Sequence, residues 1–264
     1  MKSFHFAGRM YKKNYLKNRL NNLITYFRAS VFFLVHVLPN RLSMERDIMV
    51  FLKALAENNH KEWFDAHRRE YDQVKKATID LAGKLLTGLN QIDHTLGITD
   101  PRKCIFRINR DVRFSADKSP YKTHIGMFFN KGGKSSPTAG YYLHLEPAKS
   151  FAGGGIYGPQ APELNAIRRE IYYNSGAFEQ IIGHKDFKST FGELMNEGRL
   201  QRPPKGFPAD FPGIELLKYK HYVVGHNMED DMLFAPDFET YILQIFSKMK
   251  SFNQFLNHAL DMAV

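Results

Sequence analysis

Apolar residues recur every three or four positions at Ile48, Phe51, Leu52 and Leu55, a pattern that predicts an amphipathic helix closed by Asn58 and Asn59. A longer stripe follows at Phe64, His67, Tyr71, Val74, Thr78, Leu81, Leu85 and Leu89, while Lys61, Arg68, Arg69, Lys75 and Lys76 fall off it. The spacing predicts a long helix with one buried face. His67 lies in that stripe and reads as a hydrogen-bonded boundary residue, because a lone histidine on an apolar face rarely does chemistry.

Beyond Gly97 and Pro101 the period falls to two, the mark of strands. Over residues 105–114 one set of alternate positions reads Phe106, Ile108, Arg110, Val112, Phe114 and the other Ile105, Arg107, Asn109, Asp111, Arg113, so a first strand with one oily and one charged face is expected. Residues 115–120 read as a loop. Further strands are expected at 123–130, 140–146 and 151–157, with a Gly- and Ser-rich loop at 131–139. Gly153, Gly154 and Gly155 suggest a bulge or tight bend. Pro162 opens a helix carrying Leu164, Ile167, Arg168, Ile171 and Tyr172, and shorter helices follow at 178–182 and 187–194. Residues 202–212 form a Pro-rich loop and 220–224 a late strand. Asp237 is placed to cap a closing helix that carries Phe238, Tyr241, Ile242, Ile245, Met249, Phe252 and Leu256. Helices, then consecutive strands, then helices again predict an α+β fold, a mainly antiparallel sheet packed against helices in a single domain.

The chain has 264 residues and a net charge of +10, which resembles a nucleic-acid signature until the charges are located. Residues 1–43 hold eight Lys and Arg and no acid, so they carry +8 and leave residues 44–264 near neutral at +2. Weak support for nucleic acid follows, because phosphate backbones are held by clustered bases. The apolar run at 31–38 is too short to span a bilayer, which needs about 20 residues, and lacks a small-residue cleavage site. Residues 1–43 are expected to be a basic leader, an over-long start or a disordered arm, with 44–264 the globular domain. A single cysteine, Cys104, forbids an internal disulfide and fits a reducing, cytoplasmic home; it reads as a packed thiol.

Arg107, Arg113, Lys118 and Lys122 fall within sixteen residues around Asp111 and Asp117, a density that suits an anion. Arginine forks match phosphate or carboxylate oxygens and lysine adds a mobile charge. The same residues equally make a network of ion pairs within a sheet. His144 and Glu146 share one face of their strand, and with Asp111 they are the expected catalytic residues. If His124 joins them, a general base with an orienting carboxylate, or a set of ligands for a divalent metal, results. The spacing matches no zinc signature, so no metal is assigned, and no cofactor is named by any motif. The three glycines at 153–155 lack the order of a P-loop.

The strings at 58–65 (NNHKEWFD), 107–122 (RINRDVRFSADKSPYK), 141–147 (YYLHLEP) and 153–157 (GGGIY) together resemble the widespread microbial family catalogued as domain of unknown function 2461. The similarity runs in order from about residue 44 to 260. The resemblance implies a soluble, single-domain protein and brings no reaction, substrate or cofactor. The residues then favour a protein that binds an anionic or phosphorylated small ligand on a polar sheet face. A nucleic-acid-associated module and a non-catalytic interaction scaffold are the alternatives. Whether the chain is an enzyme and how it assembles are left open.

Overall fold

The computed structural model describes residues 38–97 and 100–262, and Arg46–Val264 form one compact unit. The leader expected over 1–43 lies outside the described residues, apart from the first turns of helix α1 (Leu38–Glu57). The apolar positions read in α1 are buried, with Leu52 and Leu55 fully so. Helix α2 (Lys61–Ala66) starts at His60, whose ring accepts from the Trp63 amide. His67 then breaks the long stripe into two helices. It sits between α2 and α3 (Arg68–Ile92), its ring stacked 4.0 Å from Trp63 and its Nδ1 2.8 Å from the Trp63 carbonyl. A histidine bonded back to the preceding turn serves as the joint, so the stripe is continuous while the backbone is not. Val74, Leu81, Leu85 and Leu89 bury the core face of α3.

Four strands form one antiparallel sheet in sequence order: β1 (Ile125–Asn130), β2 (Gly140–Leu145), β3 (Phe151–Ile156) and β4 (Tyr222–Asn227). The expected α+β fold is found, with helices packed against a single antiparallel sheet. On the core side Ile125, Met127 and Phe129 pair with Leu145, Leu143 and Tyr141, all buried. Against them lie α8 (Phe238–Lys248) and α9 (Lys250–Asp261), with Phe246 5.4 Å from the Tyr141 ring. The closing segment is two helices, because Met249 leaves helical geometry (φ −97°, ψ 1°) where its sulfur fills the space over Gly154. Asp237 occupies the N-cap position of α8 but makes no side-chain capping bond. Between β3 and β4 run α4 (Ala161–Tyr173), α5 (Ser175–Gly183), α6 (Lys185–Phe191) and α7 (Ile214–Leu217). Arg168 ties this excursion down from the inside, donating to the Leu217 and Tyr219 carbonyls at 2.7 and 3.1 Å. No described helix is long and apolar enough to cross a membrane.

One expected strand is absent as such. Residues 105–114 make only two isolated bridges, Ile105↔Met127 and Asn109↔Tyr121. Between those bridges one side advances four residues and the other six, so the ladder must bulge. The alternation there does not divide a buried from an exposed face either: Ile108 is buried, whereas Phe114 is 97% exposed. Arg110 explains the loop that follows. Its guanidinium is paired with Asp117 and donates to the Ser119 carbonyl and the Ser115 hydroxyl, stapling 115–119 back on itself.

Candidate functional site

The side of the sheet away from α8 and α9 forms the floor of a groove of about 780 Å³. Strand parity delivers Tyr142 and His144 to this side, since Tyr141, Leu143 and Leu145 take the core. The glycine run of β3 lets the strand pack closely between its neighbours, with Met249 and Phe252 against Gly154 and Gly155 on the helix side. A Cβ at Gly153, Gly154 or Gly155 would lie 2.3, 2.4 and 2.0 Å from the carbonyl oxygens of Val224, Gly140 and Tyr222, so no side chain fits between β2 and β4 there. Gly155 also has φ +109°, a conformation that favours glycine, but the bulge expected from the sequence is not formed: residues 151–156 pair one for one with 222–227. Phe106, Phe151, Tyr157 and Met195 line the groove.

Lys122, Lys134 and Arg107 are the cations of one rim. The ammonium groups of Lys122 and Lys134 stand 5.5 and 5.7 Å from the centre of the Phe106 ring. Partial burial pushes the Lys122 ammonium below its ordinary range, and the neighbouring charges of Arg107 and Lys134 push it further. No carboxylate pairs with Lys122 among the described residues. A half-buried cation beside two like charges is destabilised unless an anion joins it.

At the inner end of the groove Tyr142, His144 and Glu146 form a chain. The Tyr142 hydroxyl is 3.0 Å from His144 Nδ1, and His144 Nε2 is 2.9 Å from Glu146 Oε2. The carboxylate can only accept, so in the neutral ring Nε2 carries the hydrogen and Nδ1 accepts from the tyrosine. Thr123 donates to the other oxygen of Glu146 at 3.4 Å. Burial raises the Glu146 carboxyl, but the His144 hydrogen bond and the nearby positive charges outweigh it and hold the group below its usual value. Burial, helped by the Glu146 charge, pushes the Tyr142 phenol up to about 12. His124 faces His144 with ring centres 4.4 Å apart, and burial, then His144, brings its imidazole down to about 4. The ligand atoms of His124, His144 and Glu146 all lie within 4.8 Å of one another, close enough for a cation to collect them.

Of the residues expected at the site, the fold brings His124, His144, Glu146 and Lys122 to one groove end. It does not bring Asp111 there. That carboxylate is exposed and accepts 2.9 and 2.7 Å bonds from Arg113, which spends Arg113 as well. Lys118 is exposed and donates to the Val112 carbonyl, and Arg107 is exposed near both Lys122 and Asp111. Tyr142, Lys134 and Phe106 were not singled out by sequence reasoning. Tyr142 was legible as the residue two before His144 on a strand, whereas Lys134 belongs to the loop read only as Gly- and Ser-rich. A second hollow, of about 460 Å³, is lined by Arg199, Glu215 and Lys218, which are paired with each other.

A family model described as a conserved hypothetical protein family, DUF2461, matches residues 47–255. No curated protein and no solved structure matches the chain.

Proposed function

Since the chain belongs to the DUF2461 family of conserved hypothetical proteins, its chemistry has to come from its own groove, and we propose that the groove binds a small anionic ligand. The observation that carries this reading is Lys122, a half-buried cation with Arg107 and Lys134 as its charged neighbours and no acid paired with it among the described residues. A phosphate or carboxylate at this rim would meet Lys122 and Lys134 together, and both can turn toward it without breaking an ion pair. The rest of the ligand is flat and apolar. It lies on the backbone floor at Gly154 and Gly155, beside the Tyr142 ring that stands between Phe106 and Phe151.

On this reading the anion meets the partly buried Lys122 rather than the exposed segment around Arg113 and Lys118, and Lys134 would exchange its bond to the Ile105 carbonyl for it. Arg107 stands at the approach and adds charge without being enclosed. Calorimetric titration of phenyl phosphate is the matching experiment, with phenol as the neutral comparison. Saturable binding of one equivalent of phenyl phosphate, weakened at least about tenfold in Lys122→Met, supports the reading. Equal binding of phenol would mean that the groove reads the ring alone, and unchanged affinity in Lys122→Met would remove the anion site.

A further inference from the structure

His124, His144 and Glu146 meet at the inner end of the groove, and the geometry points to a binding site there for a divalent transition-metal cation of the zinc type. Two imidazoles and one carboxylate form the donor set, and each comes from a different local context. His124 precedes β1, His144 lies within β2, and Glu146 follows β2 after its last paired residue. Antiparallel pairing sets the arrangement, because Gly126 is opposite His144 and, having no side chain, lets the Tyr142 ring lie over β1 beside His144.

The distances suit metal ligation. Bonds of about 2.0–2.2 Å to a cation put neighbouring ligand atoms roughly 2.9–3.5 Å apart. His144 Nε2 and Glu146 Oε2 are 2.9 Å apart, already at that spacing. His124 needs only a small rotation to complete the triangle, since all three ligand atoms fall within 4.8 Å. Its ring has no hydrogen-bond partner among the described residues, so nothing is broken by that rotation. An imidazole that faces a second imidazole and a carboxylate without a bond of its own has a lone pair to give.

The surrounding groups match what holds metal ligands in place. A ligating histidine passes its other ring hydrogen to a neighbour, which fixes the tautomer. Here the Tyr142 hydroxyl lies 3.0 Å from His144 Nδ1 and accepts as readily as it donates, so the proton can move to Nδ1 and free Nε2 for the cation. Thr123 bonds the remaining oxygen of Glu146. Two nitrogens and one oxygen favour zinc, iron(II), cobalt or nickel over magnesium or calcium, which prefer oxygen alone. Three protein ligands leave a coordination position open, the arrangement of catalytic rather than structural sites. Both histidines line the groove, so that position faces the ligand space.

This goes beyond the anion-groove reading and stands without it. The test strips the full chain with a chelator, then titrates Zn²⁺ by calorimetry and Co²⁺ by visible absorption, with no organic ligand present. The expected result is one equivalent of Zn²⁺ and a cobalt spectrum unlike that of the hydrated ion. Affinity should fall by about 100-fold or more in His124→Ala and Glu146→Gln, and stay unchanged in His221→Ala, whose ring is stacked on Tyr157. Circular dichroism verifies each variant's fold, and the wild-type measurements decide the matter if a variant misfolds. Wild-type protein that takes up no equivalent of Zn²⁺, a cobalt spectrum of the hydrated ion, or binding undiminished in folded His124→Ala would overturn the site. Anion binding is scored separately on the chelated protein, so either proposal can fail while the other holds.

Discussion

The Lys122 ammonium stands 5.5 Å from the centre of the Phe106 ring, with the Lys134 ammonium at 5.7 Å from the same ring. One aromatic ring thus carries two cations and, among the described residues, no counter-charge. Cation–π attraction offsets part of the repulsion, by about 0.5–1 kcal/mol at sites open to water. The remainder is a standing electrostatic cost that an anion would relieve.

That cost makes Lys122→Met a diagnostic substitution. Removing the charge keeps most of the stem's packing and removes the repulsion with Arg107 and Lys134. The variant should be as stable as the parent or more so, by no more than about 1 kcal/mol once solvent screening is allowed for, while anion binding is lost. Urea unfolding measures the first and calorimetry the second. A variant that is clearly destabilised would show that Lys122 is a structural partner instead.

Gly126 lies beneath the Tyr142 hydroxyl, and a Cβ there would come within 2.6 Å of that oxygen and 3.3 Å of Phe106 Cδ2. Gly126→Ala should therefore cost about 1–3 kcal/mol, the usual penalty of overpacking. Tyr142→Phe removes the atom in closest contact. In the double variant much of the loss should return, a coupling of the kind that double-mutant cycles detect. Strictly additive losses in urea unfolding would contradict the predicted contact.

Arg168 is 6% exposed, and its guanidinium holds the Leu217 and Tyr219 carbonyls just before β4. Arg168→Ala leaves those buried acceptors without donors and should cost about 2–4 kcal/mol. For a domain of this size that is a fall in Tm of roughly 5–15 °C. Thermal unfolding by circular dichroism reads it, and a change below about 2 °C would mean that water replaces the guanidinium.

Asp117 gives the acid side of the stability profile. Bonds from the Ser119 hydroxyl and amide, and then the Arg110 guanidinium, bring its carboxyl from 3.8 down to about 2. A depressed carboxylate stabilises the fold above its unfolded value and loses that contribution as pH falls through the folded one. Asp117→Asn should therefore flatten the dependence of stability between about pH 4 and pH 2 and change little of it near pH 7. The group is exposed, so the effect is small. A parallel curve for variant and parent would show that Asp117 has no such role.

The elements that the sequence made legible share one property: a local period that the fold keeps. The helix stripe through Val74, Leu81, Leu85 and Leu89 faces the core as read, and β2 divides Tyr141 and Leu143 from Tyr142 and His144 by simple alternation. Residues 105–114 alternate just as clearly and make no regular strand, because the two segments of that pairing differ in length and the extra residues fall within 121–127. His124 and His144 were visible as residue types, but their approach depends on the β1–β2 register, which pairs Gly126 with His144. Lys134 was the least legible. Its place over Phe106 comes from the fold of the 131–139 loop, and no periodicity records that.

The central claim is that the groove over the open face of the sheet takes an anion at Lys122. It is tested most directly by thermal shift of the chelated protein and its Lys122→Met variant against aryl phosphates, aryl carboxylates and the corresponding neutral aryl alcohols. A ligand at about 100 times its Kd adds roughly 2.7 kcal/mol, a rise of roughly 5–10 °C for a domain of this size. The prediction is that at least one charged ligand raises the parent's Tm by that amount, that the neutral alcohols raise neither protein's, and that Lys122→Met does not respond. No shift with any anion, or an equal shift in the variant, would contradict it.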